Sequence, residues 1–595
     1  MCGIFGYIGQ GDAGQNILNG LKRLEYRGYD SWGVAVVSRD RQNGDSTIEV
    51  AKKVGSIGAL EELKDLPKSN IGIGHTRWAT HGGVTEVNAH PHYSTDHSFV
   101  LAQNGIVENY QELKKELAQK GYSFSTETDT EIIVRNVEFR LSQINNLKEA
   151  VRKAFLDLKG RNTIIVLSSE HNQVIAVRNG SPLVVGIGDG EYFFASDTLS
   201  FADKTDEVIY IDDKQMVEYK DGDLKLFDVE NNKELKIKIR KLDHEDVSID
   251  KEGFAHFMLK EIVDQKHTIR EAIQYSEEEM EPIVNIIKNS RNIYTVGAGT
   301  ASFAAGQIAY FLRKYAGVNA IELKSYEMES YKELFTENDL LIAVSQSGET
   351  ADTIEAVELA KQKGAKIGSI VNMVGSTITR LSDFPYFLRS GPEICVVSTK
   401  AFTAMCSWGL LLALSVKGEA EKARKAINNL SEELDRHLNE DFFACVKKVT
   451  EKLLHHEHIF VLGRGQNYYL SLEAGLKLKE TAYKHTEGFA AGELKHGVIA
   501  LIEKGTPIFV LISEDNSKSD MLSAAAEVKA RGAHLIGIAT KENELFDDFI
   551  KTPEGDYADS IANIIPFHLL AYYLAVELGY NPDKPRNLAK SVTVK

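Results

Sequence analysis

Apolar and polar positions alternate through much of the first 240 residues. Segments such as "WGVAVVSR" (32–39) and "NTIIVLSS" (162–169) carry the two-residue period of half-buried strands and are separated by glycine turns. One helix interrupts this pattern at "STETDTEIIVRNVEFRL" (125–141), where Thr128 and Glu131 stand at capping-box spacing. The pattern then lapses into charge at "KLDHEDVSIDKEG" (241–253). Beyond it, apolar strand-like runs alternate with helical stretches, the signature of parallel α/β sheets. This half also repeats. "NIYTVGAGT" (292–300) matches "HIFVLGRGQ" (458–466), with Gly297 and Gly299 aligned to Gly463 and Gly465 at an offset of 166 residues. "LLIAVSQSGE" and "IFVLISEDNS" follow in the same order, as do "KQKGAKIGSI" and "KARGAHLIGI". The expected organisation is a strand-rich domain over 1–240, a linker over 241–252, two tandem doubly wound domains over 253–430 and 431–582, and a tail over 583–595.

Length and charge narrow the possible functions. At 595 residues the chain exceeds what one core supports. Its net charge of −17 argues against a nucleic-acid or anionic-membrane partner, which would need a basic surface. Cys2, Cys395, Cys406 and Cys445 are few and scattered with no CxxC, which fits a reduced cytoplasmic chain without disulfides or structural zinc. No basic n-region precedes the first apolar stretch, and no apolar run is long enough to span a bilayer. Histidines 75, 81, 90, 92 and 97 lack HExxH spacing and read as structural or substrate-facing, so no metal is expected.

Candidate chemistry gathers in a few loops. "VSQSGETADTIEAV" (344–357) ends an apolar strand in Ser345, Gln346, Ser347 and Gly348, with Thr350 opening a helical run. Hydroxyls and amides at a helix N-terminus suit an uncharged phosphate cradle, and "VVSTKAF" (396–402) repeats the theme with Ser398 and Thr399. Ordinary N-capping explains either loop alone; the two together with Thr300 point to a phosphorylated ligand. No GxxxxGK[ST] is present, which disfavours a nucleoside triphosphate, and "GAGTAS" lacks the third glycine of a dinucleotide fingerprint. In the second repeat the polar residues move to "SLEAGLKLKETAYKH" (471–485), where Glu473, Lys477 and Glu480 share one helix face ahead of His496. Such a face is either a solvated ion-pair ladder or a set of groups for moving protons on a sugar carbon. In the first half, Arg77 could clamp a carboxylate, Asn104-Gly105 is either a turn or an oxyanion hole, and Asp129 is either a helix cap or an ammonium ligand. Cys2, directly behind Met1, is either a small hydrophobe or a nucleophile.

These motifs converge on a family. "CGIFGYIG", "LEYRGYDSWG", "GHTRWATHG", "NGIVEN" and "TETDTE" resemble the glutaminase domain of N-terminal-nucleophile amidotransferases. "SQSGETADT", "STKAFT", "LKLKE", "AAGELKHG" and "DKPRNLAKSVTVK" resemble the sugar-isomerase (SIS) domains of the glutamine–fructose-6-phosphate aminotransferases. The resemblance implies an αββα glutaminase sandwich followed by two SIS domains. It also implies conversion of L-glutamine and fructose 6-phosphate to L-glutamate and glucosamine 6-phosphate, without a cofactor. By this resemblance Met1 is removed and the α-amine of Cys2 takes the thiol proton. Asn104 and Gly105 stabilise the oxyanion, while Arg77, Trp78, Thr80, His81 and Asp129 surround glutamine. Thr300, Ser345, Gln346, Ser347, Thr350, Val396, Ser398 and Lys400 hold the sugar phosphate. His496, donated by a neighbouring subunit, opens the ring, so at least a homodimer is implied. Lys590 forms a Schiff base, Glu480 shuttles the proton between C1 and C2, and Lys477 and Glu473 support it. Three stretches depart from the family: Gln103 replaces a histidine, Ala298 and Ala301 flank Thr300, and "MVGS" (373–376) replaces "VPGS". They leave open a related amidotransferase acting on another phosphosugar. A non-catalytic phosphosugar sensor, the other rival, leaves Cys2 and Lys590 without a purpose.

Overall fold

The computed structural model describes residues 2–39, 46–58, 63, 65–170, 172–242 and 250–593. Most of the linker expected over 241–252 lies outside the described residues. The chain forms two compact units, Met1–Ile249 with Ala589–Lys595, and Asp250–Leu588.

The first unit contains two antiparallel sheets. One has eight strands in the order Arg240–Lys241, Glu207–Tyr210, Val184–Ile187, Tyr192–Ala195, Gly3–Ile8, Ile71–Arg77, Ser31–Arg39 and Ser46–Val54. The other has seven, with Phe99–Gly105 paired to Asn162–Ser168 near one edge. Alternation explains how the sheets stack. Ile4 and Ile8 face a shared core with Val100, Ala102, Ile165 and Leu167 of the second sheet, while Phe5 and Tyr7 point the other way onto the helix Ala13–Arg23. The outer face of the second sheet is covered by the helices Tyr110–Gln119, Asp129–Ile144 and Leu147–Leu156. This is the expected four-layer αββα sandwich.

The helix expected over 125–141 forms at Asp129–Ile144, but its start differs from the expectation. Thr128 occupies the N-cap without making a side-chain cap bond. Its hydroxyl meets Thr126 at 2.9 Å and His92 Nε2 at 3.1 Å. Glu131 instead accepts the N–H groups of Ser125 and Thr126, so its carboxylate ties down the loop that leads into the helix rather than the N-cap N–H.

The second unit holds two five-stranded parallel sheets of matching order. The first runs Ala320–Lys324, Ile293–Gly297, Leu340–Ser345, Lys366–Val371 and Phe384–Phe387. The second runs His485–Ala490, His458–Gly463, Pro507–Leu511, His534–Ala539 and Asp548–Lys551. The aligned glycines have one cause in both copies. A Cβ on Gly297 would lie 2.6 Å from Ala301 O, and one on Gly463 would lie 2.0 Å from Asn467 O, because each strand end abuts the turn that follows it. The helices Lys400–Lys417 and Asp559–Glu577 run through a core common to both repeats, which explains their nearly unbroken apolar sequences.

Candidate functional site

In the first unit, the strand ends of the two sheets bring the predicted residues together. Cys2 immediately precedes the strand Gly3–Ile8, and its Sγ accepts the Trp78 N–H at 3.4 Å. Trp78 follows the neighbouring strand Ile71–Arg77, whose Thr76 is in register with Gly3. Burial pushes the Cys2 thiol up, while the Trp78 N–H and the Arg77 guanidinium pull it down. Asn104 and Gly105 end the strand Phe99–Gly105 of the other sheet. Gly105 has φ +124, and a Cβ there would sit 2.1 Å from Arg161 O, so only glycine fits this corner.

The Asn104 side chain is fixed from both ends. His75 Nε2 lies 2.9 Å from Gln103 O and 3.2 Å from Asn104 Oδ1; both are acceptors, so Nε2 carries the proton. Asn104 Nδ2 donates to Ser196 Oγ at 2.8 Å, and the same oxygen accepts the Ile4 N–H at 2.9 Å. One amide hydrogen of Asn104 remains after the bond to Ser196. Burial drives the His75 imidazole down to about 3, which keeps it neutral. Ser196 carries no local sequence signal; only the approach of the strand Tyr192–Ala195 to the strand Gly3–Ile8 reveals it.

Arg77 is buried, and its guanidinium donates to the backbone oxygens of His81, Gly82 and Gly83. The 78–88 loop is further tied by Glu127, which accepts the Gly83 N–H, and by Asn88. Thr80 is exposed on this loop, and the His81 ring meets Tyr110 edge-on at 4.9 Å. The buried carboxylate of Asp129 accepts the Val107 N–H at 2.8 Å and is pushed up by desolvation. Gln103, one of the departures from the family, bridges Asn162 and Thr130. His90 and His92 are buried in a row of tilted rings with His75.

In the second unit, Glu473, Lys477 and Glu480 occupy one face of the helix Tyr468–Ala482. They are not a solvated ladder: Glu473 and Lys477 have fully buried side chains. Lys477 Nζ lies 3.1 Å from Glu473 and also bonds Glu480. Thr300, the first residue of the helix Thr300–Phe311 in the other repeat, accepts from Lys477 Nζ at 2.9 Å and donates to Glu473 at 3.2 Å. Its hydroxyl thus sits in the carboxylate–ammonium cluster. Burial pushes the Glu473 carboxyl up to about 7, against the pull of Lys477 and with the help of Glu480. Burial alone would lower Lys477, but its two carboxylates outweigh this and hold it above the usual lysine range.

The loop after the strand Leu340–Ser345 turns on its own hydroxyls. Ser345 Oγ accepts the Gly348 N–H at 2.9 Å and Ser347 Oγ accepts the Glu349 N–H at 3.2 Å. Thr350 caps the helix Ala351–Gln362 by position, without a side-chain cap bond, and Gln346 O accepts from Asn372 and Met373. The 396–402 loop is built differently. Glu393, buried and missed in the sequence, accepts the N–H groups of Thr399 and Ala401 and so occupies the start of the helix Lys400–Lys417. Lys400 is paired with Asp264 at 3.4 Å, Ser398 is half-buried, and the Val396 N–H bonds Asp583 O. His496 is exposed at the end of the short turn Glu493–His496. Lys590 lies half-buried on the segment Ala589–Lys595, which belongs to the first unit.

Residues 60–247 match the glutamine amidotransferase domain, and residues 286–415 and 452–577 each match the SIS domain. The chain is therefore a glutamine amidotransferase module joined to a tandem SIS module. Over 611 residues covering both chains in full, it is 40% identical to glutamine–fructose-6-phosphate aminotransferase (isomerizing) of Thermococcus kodakarensis. It is 39% identical over 627 residues, again covering both in full, to the protein of that name from Chlorobaculum tepidum. Among solved structures, the C-terminal domain of glucosamine-fructose-6-phosphate aminotransferase from Francisella tularensis superposes with a TM-score of 0.53 at 30% identity, covering 56% of this chain and all of that one. The chain belongs to the glutamine–fructose-6-phosphate aminotransferase (isomerizing) family.

Proposed function

We infer that this chain converts L-glutamine and fructose 6-phosphate to L-glutamate and glucosamine 6-phosphate, the entry step of amino-sugar synthesis. The observation that carries the reading is the buried cluster in which Thr300 of one SIS repeat meets Glu473 and Lys477 of the other. A proton-transfer set at a repeat junction is what ketose–aldose isomerisation needs, and the residues around Cys2 are those needed to release ammonia.

At the first centre, with Met1 removed, the α-amine of Cys2 takes the thiol proton and the thiolate attacks the glutamine carboxamide carbon. The remaining amide hydrogen of Asn104 and the Gly105 N–H receive the oxyanion. Ammonia leaves as the thioester forms, and water then releases glutamate. Arg77 and Asp129 take the α-carboxylate and α-amine of glutamine, with Thr80, His81 and Trp78 closing over it. At the second centre, Ser345, Gln346, Ser347 and Thr350 hold the phosphate at the start of a helix, where backbone N–H groups and the helix dipole favour an anion. Val396, Ser398 and Lys400 border the sugar. His496 from a neighbouring subunit opens the ring, which makes the working form a homodimer or larger. Lys590 condenses with the C2 carbonyl, releasing water, to form a Schiff base, and ammonia then displaces the lysine. Glu480 moves the proton between C2 and C1, and Lys477, bonded to it, holds its carboxylate in place. The reduced, scattered cysteines support a cytoplasmic setting.

Parallel assays of glutamate and glucosamine 6-phosphate on the purified full-length chain test the reading. Both products at matched rates support it. Glutamate without amino sugar, Met1 being absent by intact mass, would move the acceptor to another phosphosugar.

A further inference from the structure

The strand Ser46–Val54 is an edge strand whose alternate residues Ile48, Val50 and Lys52 share one face. Ile48 and Val50 pack into the core between the two sheets of the first unit, so Lys52 continues an apolar row with an amine. Beside it opens a cavity of about 740 Å³, lined by Val50, Lys52, His92, Thr95, Glu131 and Arg135. That volume suits a small organic ligand.

Arg135, Glu131 and His92, which line this cavity beside Lys52, are already engaged, while Glu86 also lines it and is exposed. Arg135 bonds Glu131 and Glu138, each at 2.9 Å, and also Thr95 Oγ1. Glu131 is further saturated by the N–H groups of Ser125 and Thr126, and His92 Nε2 meets Thr128. Lys52, by contrast, makes no hydrogen bond or ion pair among the described residues, and Glu131 acts on it only at longer range. Burial lowers its amine to about 8. A largely desolvated cation that feels a counter-charge only at longer range is costly unless a closer anion supplies one.

We propose that the Lys52 cavity is a second ligand site, separate from the glutamine and sugar sites, and that it binds a small oxyanion, carboxylate or phosphate monoester, on the Lys52 ammonium. The site has a physical line to the nucleophile centre. The His92 and His90 rings are 4.9 Å apart, those of His90 and His75 are 4.3 Å apart, and His75 holds Asn104. The proposal does not depend on the reaction assigned above.

The full-length protein is treated with limiting acetic anhydride in chloride, phosphate or acetate at equal ionic strength, and acetylation of each lysine is followed by peptide mass spectrometry. Saturating oxyanion should slow Lys52 by at least about threefold relative to chloride, while Lys53 is unchanged. Protection by phosphate alone assigns the phosphate class, and protection by acetate as well assigns the carboxylate class. Equal Lys52 rates in all three salts would overturn the site. Phosphate held in the SIS domains does not enter this readout, because the comparison is between Lys52 and its neighbour Lys53.

Discussion

Around Cys2, burial keeps the imidazoles neutral. His75, His90 and His92 are all held in their uncharged form, and burial pushes the thiol up against the pull of the Trp78 N–H and the Arg77 guanidinium. Around Lys477 the charges are kept and made to face one another, two carboxylates on one ammonium. The difference follows from what each centre needs. A nucleophile that receives its own proton acceptor from the chain terminus requires a dry frame of fixed hydrogen-bond donors for a developing oxyanion. Moving a proton along a sugar requires a group that changes protonation near neutral pH. Burial, with the negative charge of Glu480 beside it, supplies one, since Glu473 is driven to about 7.

Substitutions can separate the two centres. The largest effect is expected for Cys2→Ala, which should abolish glutamate release, by at least about a thousandfold, while isomerisation of fructose 6-phosphate stays within about twofold of wild type. Glu480→Gln should do the reverse, lowering amino-sugar formation by about 100- to 10,000-fold with glutaminase activity retained. If either substitution silenced both half-reactions in a folded protein, the two centres would not be chemically independent. Lys477→Met leaves the buried Glu473 and the half-buried Glu480 without their cation, and urea unfolding of the second unit at pH 8 should show a loss of about 3–5 kcal/mol.

Glu473 adds a dependence on pH. Its folded value of about 7 lies above the ordinary 4.5, so its contribution to stability is fully present below 4.5 and is lost as pH rises through about 7. Between these limits wild type should lose about 1.4 kcal/mol per pH unit relative to Glu473→Gln in paired unfolding curves. Parallel curves would mean that the carboxyl is ionised throughout. The smallest effect belongs to Ser196→Ala, which removes the acceptor that orients Asn104. It should cost about 1 kcal/mol of transition-state stabilisation, read as a roughly fivefold lower kcat for glutamate release with KM for glutamine unchanged.

Much of this molecule was legible before folding was considered. The switch of period after residue 240 separated an antiparallel sandwich from parallel sheets, and the paired glycines at 297 and 463 marked the repeat. Those signals survive because they are local: alternation sets strand faces, and close strand–turn contact demands glycine in both copies. The spacing of Glu473, Lys477 and Glu480 likewise follows from the helix alone. Whether that face was solvated or buried did not, because the answer depends on Thr300, 173 residues before Glu473, arriving from the other repeat. The same holds for Ser196, Glu393 and Lys52. A serine, a glutamate and a strand lysine carry no signature in sequence, and each acquires its role from a remote backbone or an emptied space beside it. By itself the sequence determined the periodicities, the turns and the residue types available for chemistry, since these depend on neighbours along the chain. Only the tertiary structure decided which of those groups lose water and which partners they meet, because burial and pairing depend on residues far apart in sequence and close in space.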